Sequence, residues 1–279
     1  MLGRAEPAIA AHGGPTMALR GSTSRSRLPL LNLFVSQPIS ARPLMDIRRG
    51  SWTPSQWAIV IALMLAGGSV LSYPGGTVRD ESTRVYSFTH NFLSDLGSTV
   101  AFNGQPNVAG AVLFGLSILI MVLVLAGSIV VAVRLLSATP RARPFARLAA
   151  VASVLVCAGF LGVALTPADR AWSLHIVFSR VAFYSFPVTT ALLAIATARD
   201  ARFRPRATVG WVTLTIVLAG LIGMARLGPT ADTEHGLVTQ VITQKIMAVS
   251  VLVVLWVESR EAEVVSSRES LTRLDQPAG

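Results

Sequence analysis

The chain has 279 residues, of which 52% are hydrophobic and only 14% charged, and its formal net charge is +10. Soluble domains carry about 25% charged residues. Here several runs of about 18 or more residues contain no Asp, Glu, Lys or Arg, which is long enough to cross a bilayer and excludes helices that keep one side in water. The basic excess does not make a nucleic-acid partner, because it falls in short clusters between apolar runs, where it sets topology; the partner is the lipid bilayer. Lys245 is the only Lys among the 24 basic residues, a bias expected of a GC-rich genome. Cys157, the single cysteine, excludes an intrachain disulfide and reads as a small packing residue.

Residues 1–50 are rich in Arg, Pro, Ser, Gly and Ala, have no 3.6-residue apolar period, and read as a disordered basic extension. Their one apolar patch, Leu28 to Val35, is too short to span, and no signal-peptide pattern is convincing. Met45 opens a plausible lead into a first helix and is a candidate true start, residues 1–44 then being untranslated.

The expected fold is all-α, a bundle of six transmembrane helices within a membrane domain at 55–258, followed by a polar tail at 259–279. The spans are expected at about 57–73, 108–133, 148–166, 172–198, 207–225 and 237–257. The second is long enough to tilt or protrude. Pro187 is expected to kink the fourth. Gly159, Gly162, Gly220 and Gly223 allow close helix approach.

Orientation follows from the basic residues. Eighteen lie in the N-terminal segment, the loops after spans two and four, and the tail; only Arg79, Arg84, Arg170 and Arg226 lie on the opposite side. The asymmetry predicts both termini in the cytoplasm of a cell membrane.

Polar side chains gather at the other, extracytoplasmic face: His90, His175, His235, Asp95, Asp169, Asp232 and Glu234. The first outer loop, about residues 74–107, is long for a helix connection. Its stretch from Ser87 to Gly97 is amphipathic if helical, with Phe88, Phe92, Leu93 and Leu96 on one arc and His90, Asn91, Ser94 and Asp95 on the other. Arg180 in span four and Lys245 in span six each lie about nine residues, or about 13 Å, inside the outer end. A charge at that depth requires a partner and an inward orientation. Asp95, Asp169, Gln240, Gln244 or a bound anion would serve.

Asn91-Phe92-Leu93-Ser94-Asp95-Leu96-Gly97, then Phe102-Asn103, then Thr166-Pro167-Ala168-Asp169 with His175 six residues on, resemble a bacterial and archaeal membrane family called domain of unknown function 998. Gly236-Leu237, Gln244-Lys245-Ile246 and Trp256 are similar to its closing pattern, where an Arg commonly takes the place of Lys245. The resemblance covers about residues 55–258. It implies six spans and a membrane location, and it brings no activity.

Two readings of function follow. In the first the protein is not an enzyme: it binds an anionic lipid or small anion in an outward-facing polar cavity, with no cofactor. That cavity is expected to collect His90, Asn91, Ser94, Asp95, Asp169, His175 and His235, with Arg180 and Lys245 at its floor. In the second, His90, His175 and His235 hold a Zn²⁺ of an intramembrane hydrolase, with Asp95 or Glu234 as general base.

Overall fold

The computed structural model describes residues 52–274, with side chains as far as Arg260, so the extension expected at 1–50 lies outside the described residues. Six α-helices carry the chain: α1 (Pro54–Ser72), α2 (Val108–Ser137), α3 (Arg143–Leu165), α4 (Ala168–Ala198), α5 (Pro205–Leu227) and α6 (Glu234–Leu274). A short 3₁₀ turn at Leu93–Gly97 interrupts the α1–α2 connection. All six helices are long and apolar enough to cross a membrane, as expected.

Local chemistry sets several starts. Thr53 caps α1: its hydroxyl accepts from Gln56 N while Gln56 Oε1 accepts from Thr53 N, a reciprocal pair just ahead of Pro54 in the first turn. Pro144 and Pro205 occupy the first turns of α3 and α5, where a missing N–H costs nothing. At 30 residues α2 is about 45 Å long, more than a hydrocarbon core about 30 Å thick requires. Within the stretch expected as a polar tail, 259–279, α6 continues as helix to Leu274.

Consecutive helices pack side by side, and α6 returns to touch α1 and α2. The core comprises Ile59, Leu125, Ile129, Leu136, Val156, Phe186, Leu193, Leu214, Leu218 and Leu255. Outward positions such as Leu123, Val151, Val154, Val209, Ile216 and Val253 are apolar and exposed, as lipid requires. Near the chain's entry into the bundle, Trp52 packs on Trp57 and Trp256, and buried Gln56 donates to the Trp256 carbonyl, fastening α6 to the start of α1.

Two expectations about helix geometry change. The non-helical residue in α4 is Ala171 (φ −139°, ψ 46°), and the backbone remains helical through Pro187. The break falls at the helix mouth, where the Thr166-Pro167 turn already sets the chain's direction. Of the four glycines, only Gly159 and Gly162 are used for close approach, against Ala182 and Phe178 of α4; beside Gly220 and Gly223 there is open space.

A second, smaller core sits above α1 and α2, built from Tyr73, Tyr86, Leu96, Ala101 and Phe114. It supports the 73–107 connection as a folded cap. Gly76, at φ +83°, is required there, because a β-carbon would collide with the main chain at Asn103.

Candidate functional site

The Ser87–Gly97 stretch is not one amphipathic helix. It makes a turn at 88–90 and then the 3₁₀ turn, and the expected arcs separate: Leu96 is buried, Phe88 is 63% exposed, and the polar Asn91 and Asp95 point into the cap. The reason is the backbone hydrogen bonding that these side chains satisfy. Asn91 Nδ2 donates to the Gly76 carbonyl at 3.0 Å, and its Oδ1 accepts from Ser87 N at 2.9 Å. Asp95 Oδ2 accepts from Phe92 N at 2.8 Å and from Asn91 Nδ2 at 3.2 Å.

Lys245 of α6 reaches this cluster. Its Nζ donates to the Asn91 carbonyl at 2.7 Å and lies 5.4 Å from the centre of the Tyr86 ring, whose hydroxyl donates to the same carbonyl at 3.0 Å. One residue earlier, Gln244 Oε1 accepts from Leu93 N at 2.7 Å. α6 thus holds the cap at two successive residues. Burial pushes the Asp95 carboxyl up to about 6, against the lowering effect of the Asn91 and Phe92 hydrogen bonds and the Lys245 charge. Burial likewise raises Tyr73 to about 12 and raises Tyr86.

The other expected residues stand apart. Asp169 accepts from Thr99 N (2.9 Å), Thr99 Oγ1 (2.6 Å) and Val100 N (3.1 Å), pinning the far end of the cap to the start of α4. Buried His175 donates from Nδ1 to the Thr166 carbonyl at 2.7 Å and stacks on Trp172. His90 Nε2 pairs with Glu234, while its Nδ1 meets Thr89 Oγ1 at 2.8 Å and Ser87 Oγ at 3.2 Å. Arg79 approaches the same glutamate at 3.6 Å. His235 is exposed, and among the described residues its ring takes no hydrogen bond, while its carbonyl accepts from Thr239 Oγ1. Ser94 is half-buried and its side chain takes no hydrogen bond among the described residues.

The expected common cavity with a cationic floor therefore does not form: the outer polar groups are distributed over separate fasteners of the cap. The zinc set fails on the same geometry. His90 and His175 are committed to different partners, and no group of three His, Cys, Asp or Glu among the described residues is placed to hold a metal ion.

Arg180 departs furthest from expectation. It is exposed, and its guanidinium meets no hydrogen-bond or ion-pair partner among the described residues. On α4 it belongs to a stripe at helical spacing with Val177, Tyr184, Val188 and Ile195, which are 52%, 41%, 53% and 39% exposed. Arg226, in the last turn of α5 and not in a loop, brings its guanidinium to 6.0 Å from the Tyr184 ring centre. Two exposed cations thus flank one tyrosine, with Arg180 a single turn ahead of it on the same helix.

Sequence reading also passed over groups at the opposite end of the bundle. Asp200 is 2% exposed and accepts from Thr139 Oγ1 at 2.8 Å and from Arg202 at 2.7 Å, tying the α2–α3 turn to the α4–α5 turn. Although burial opposes it, the Arg202 and Thr139 hydrogen bonds and the Arg202 charge hold its carboxyl below the usual range. Its Asp-Ala-Arg spacing was the available signal. Glu258, 7% exposed, carries no such signal, since it follows Trp256-Val257 like any interfacial carboxylate.

No family model, curated protein or solved structure matches the chain.

Proposed function

We propose that this is a multi-pass cell-membrane protein of the domain-of-unknown-function-998 kind, both termini cytoplasmic, that binds the anionic headgroup of a membrane lipid beside the outer halves of α4 and α5. The observation that carries the reading is Arg180, an uncompensated guanidinium in an apolar, outward-facing stripe of a span. An arginine at the centre of a spanning helix costs about 2.5–3.5 kcal/mol on insertion scales. A lipid phosphate offsets that cost with bidentate, charge-assisted hydrogen bonds.

Side-chain direction supports the level at which the headgroup sits. Helical side chains lean toward the helix N-terminus. On α4 that tips Arg180 toward the Asp169 end of the bundle; on α5, which runs the other way, it tips Arg226 back toward Tyr184, as its ring contact requires. The two arginines reach toward one level from opposite directions. Lys245 is less available to an anion, because the Asn91 carbonyl and the Asp95 charge already serve it. The basic-residue asymmetry supports the orientation.

The test is the lipid that accompanies the purified protein. Arg180→Gln is expected to retain less anionic phospholipid than the wild type by the molecule held at this level, with affinity there reduced about tenfold or more for the loss of a charge-assisted bond. Arg180→Lys is expected to retain part of it, and Arg226→Gln to fall between. An Arg180→Gln protein with an undiminished complement of anionic lipid would refute the reading.

A further inference from the structure

We infer that a second anion site, made for a phosphate group, lies at the other end of the bundle, in the cleft between the α2–α3 and α4–α5 turns. The cleft holds about 620 Å³ and is lined by Pro140, Arg141, Pro144, Phe145, Arg199 and neighbouring alanines. It falls within the size range of small-ligand pockets, about 300–1,000 Å³.

The arginines around the cleft divide by what they do. Arg143 donates to the Ser137 carbonyl at 2.7 Å, and Arg202 is held by Asp200 and the Leu135 carbonyl. Those two are part of the frame. Arg141 and Arg199, the two that line the cleft, give their guanidinium groups to no hydrogen bond or ion pair among the described residues. Both are exposed, so neither is needed to bury anything. Asp200, the nearby carboxylate, is turned away into its bonds with Thr139 and Arg202 and neutralises neither of them.

The cleft is also preorganised. The Asp200–Thr139 hydrogen bond and the Arg202 bond to Leu135 lock its two walls together, and Pro140 and Pro144 stiffen the α2–α3 side. The Arg199 guanidinium lies 4.1 Å over the centre of the Phe145 ring, which seats it without using any of its N–H donors. Two guanidinium groups with free donor edges line one notch with locked walls, that of Arg199 seated on Phe145, and match a phosphate oxygen set. The phosphate comes either from an anionic lipid headgroup or from free phosphate.

The full chain is tested in phosphatidylcholine nanodiscs. In one arm part of the lipid is replaced by phosphatidylglycerol, and retained phosphatidylglycerol is counted by native mass spectrometry. In the other, inorganic phosphate is titrated against chloride at equal ionic strength, and thermal unfolding is followed. Stabilisation by phosphatidylglycerol alone identifies a lipid headgroup; stabilisation by inorganic phosphate identifies the free anion. In either arm Arg141→Gln and Arg199→Gln each weaken binding in the cleft about tenfold, and the double variant removes it, so that it loses the phosphate response and retains one phosphatidylglycerol fewer than the wild type. Phe145→Ala weakens it at unchanged net charge, while Arg134→Gln, at the same end but outside the cleft, leaves it intact. Arg180→Gln leaves the inorganic-phosphate response intact and in the lipid arm removes only the outer phosphatidylglycerol, a loss that adds to that of the double variant, which separates this site from the outer one. Equal melting temperatures of the variants in pure phosphatidylcholine establish that the fold is unaffected. The inference is overturned if neither anion binds, if the double variant responds like the wild type, or if Arg134→Gln matches Arg199→Gln.

Discussion

Asp95 is buried where a lysine, two tyrosines and an asparagine meet, and its carboxyl is pushed up to about 6 from an ordinary 3.8. Because the folded-state value is the higher one, the folded protein binds more protons than the unfolded chain between those two values. The protonated state's stabilising contribution is therefore complete below about pH 3.8 and is lost as pH rises through about 6. Two units correspond to roughly 3 kcal/mol. The melting temperature of the wild type is expected to fall across this window, and Asp95→Asn, which has no proton to lose, is expected to flatten that part of the curve. An Asp95→Asn profile with the wild-type slope would show that another group titrates. The Asn-Phe-Leu-Ser-Asp stretch was recognisable in the sequence because Asn91 and Asp95 are one turn apart. Tyr73 and Tyr86 were not, since a tyrosine beside a span reads equally well as an interfacial anchor; only the folded cap packs the two rings edge to face and brings the Tyr86 hydroxyl to the Asn91 carbonyl.

Among the helices, the α3–α4 pair offers the sharpest comparison of what sequence shows and what packing decides. Gly159, Gly162, Gly220 and Gly223 look alike as small residues in apolar runs. A β-carbon on Gly159 meets the main chain of Ala182, which has no room to yield, whereas one on Gly220 meets nothing. Gly159→Val is accordingly expected to destabilise the bundle by about 1–3 kcal/mol through overpacking. Gly220→Val is expected to leave stability within about 0.5 kcal/mol, as surface changes usually do. Reversible unfolding in mixed micelles would compare the two; equal losses would mean that α5 has a partner beside Gly220. The six spans were legible because no more than one charge, Arg180 in α4 or Lys245 in α6, interrupts any of their apolar runs. The 87–97 stretch was misread for a related reason: an amphipathic period of eleven residues describes a helix only if the backbone has no better partners, and Asn91 and Asp95 supply them.

The bundle as a whole has two chemically different ends, and orientation decides which proposed site faces which leaflet. One end carries the cap, Asp169 and Glu234; the other carries the Trp52–Trp57–Trp256 cluster and the arginine-lined turns at 139–143 and 199–206. Translocation disfavours arginine-rich short loops, so the second end is expected in the cytoplasm. The α2–α3 and α4–α5 connections are short and linked by Asp200, so they must lie on one side together. Reporter fusions after residues 140, 203 and 270 are therefore expected to read cytoplasmic, and fusions near 80, 169 and 231 external. The fusion near 80 is the most demanding, because Arg79 and Arg84 lie in the loop it samples and argue for the opposite side. Against them stand six described spans, which return the chain to its starting side, and the Gln56–Trp256 hydrogen bond, which joins the start of α1 to the far part of α6. That contact makes the orientation all-or-none: a cytoplasmic signal near 80 together with one after 140 would require α2 not to cross, and would remove the outer half of α4 as a lipid site along with it.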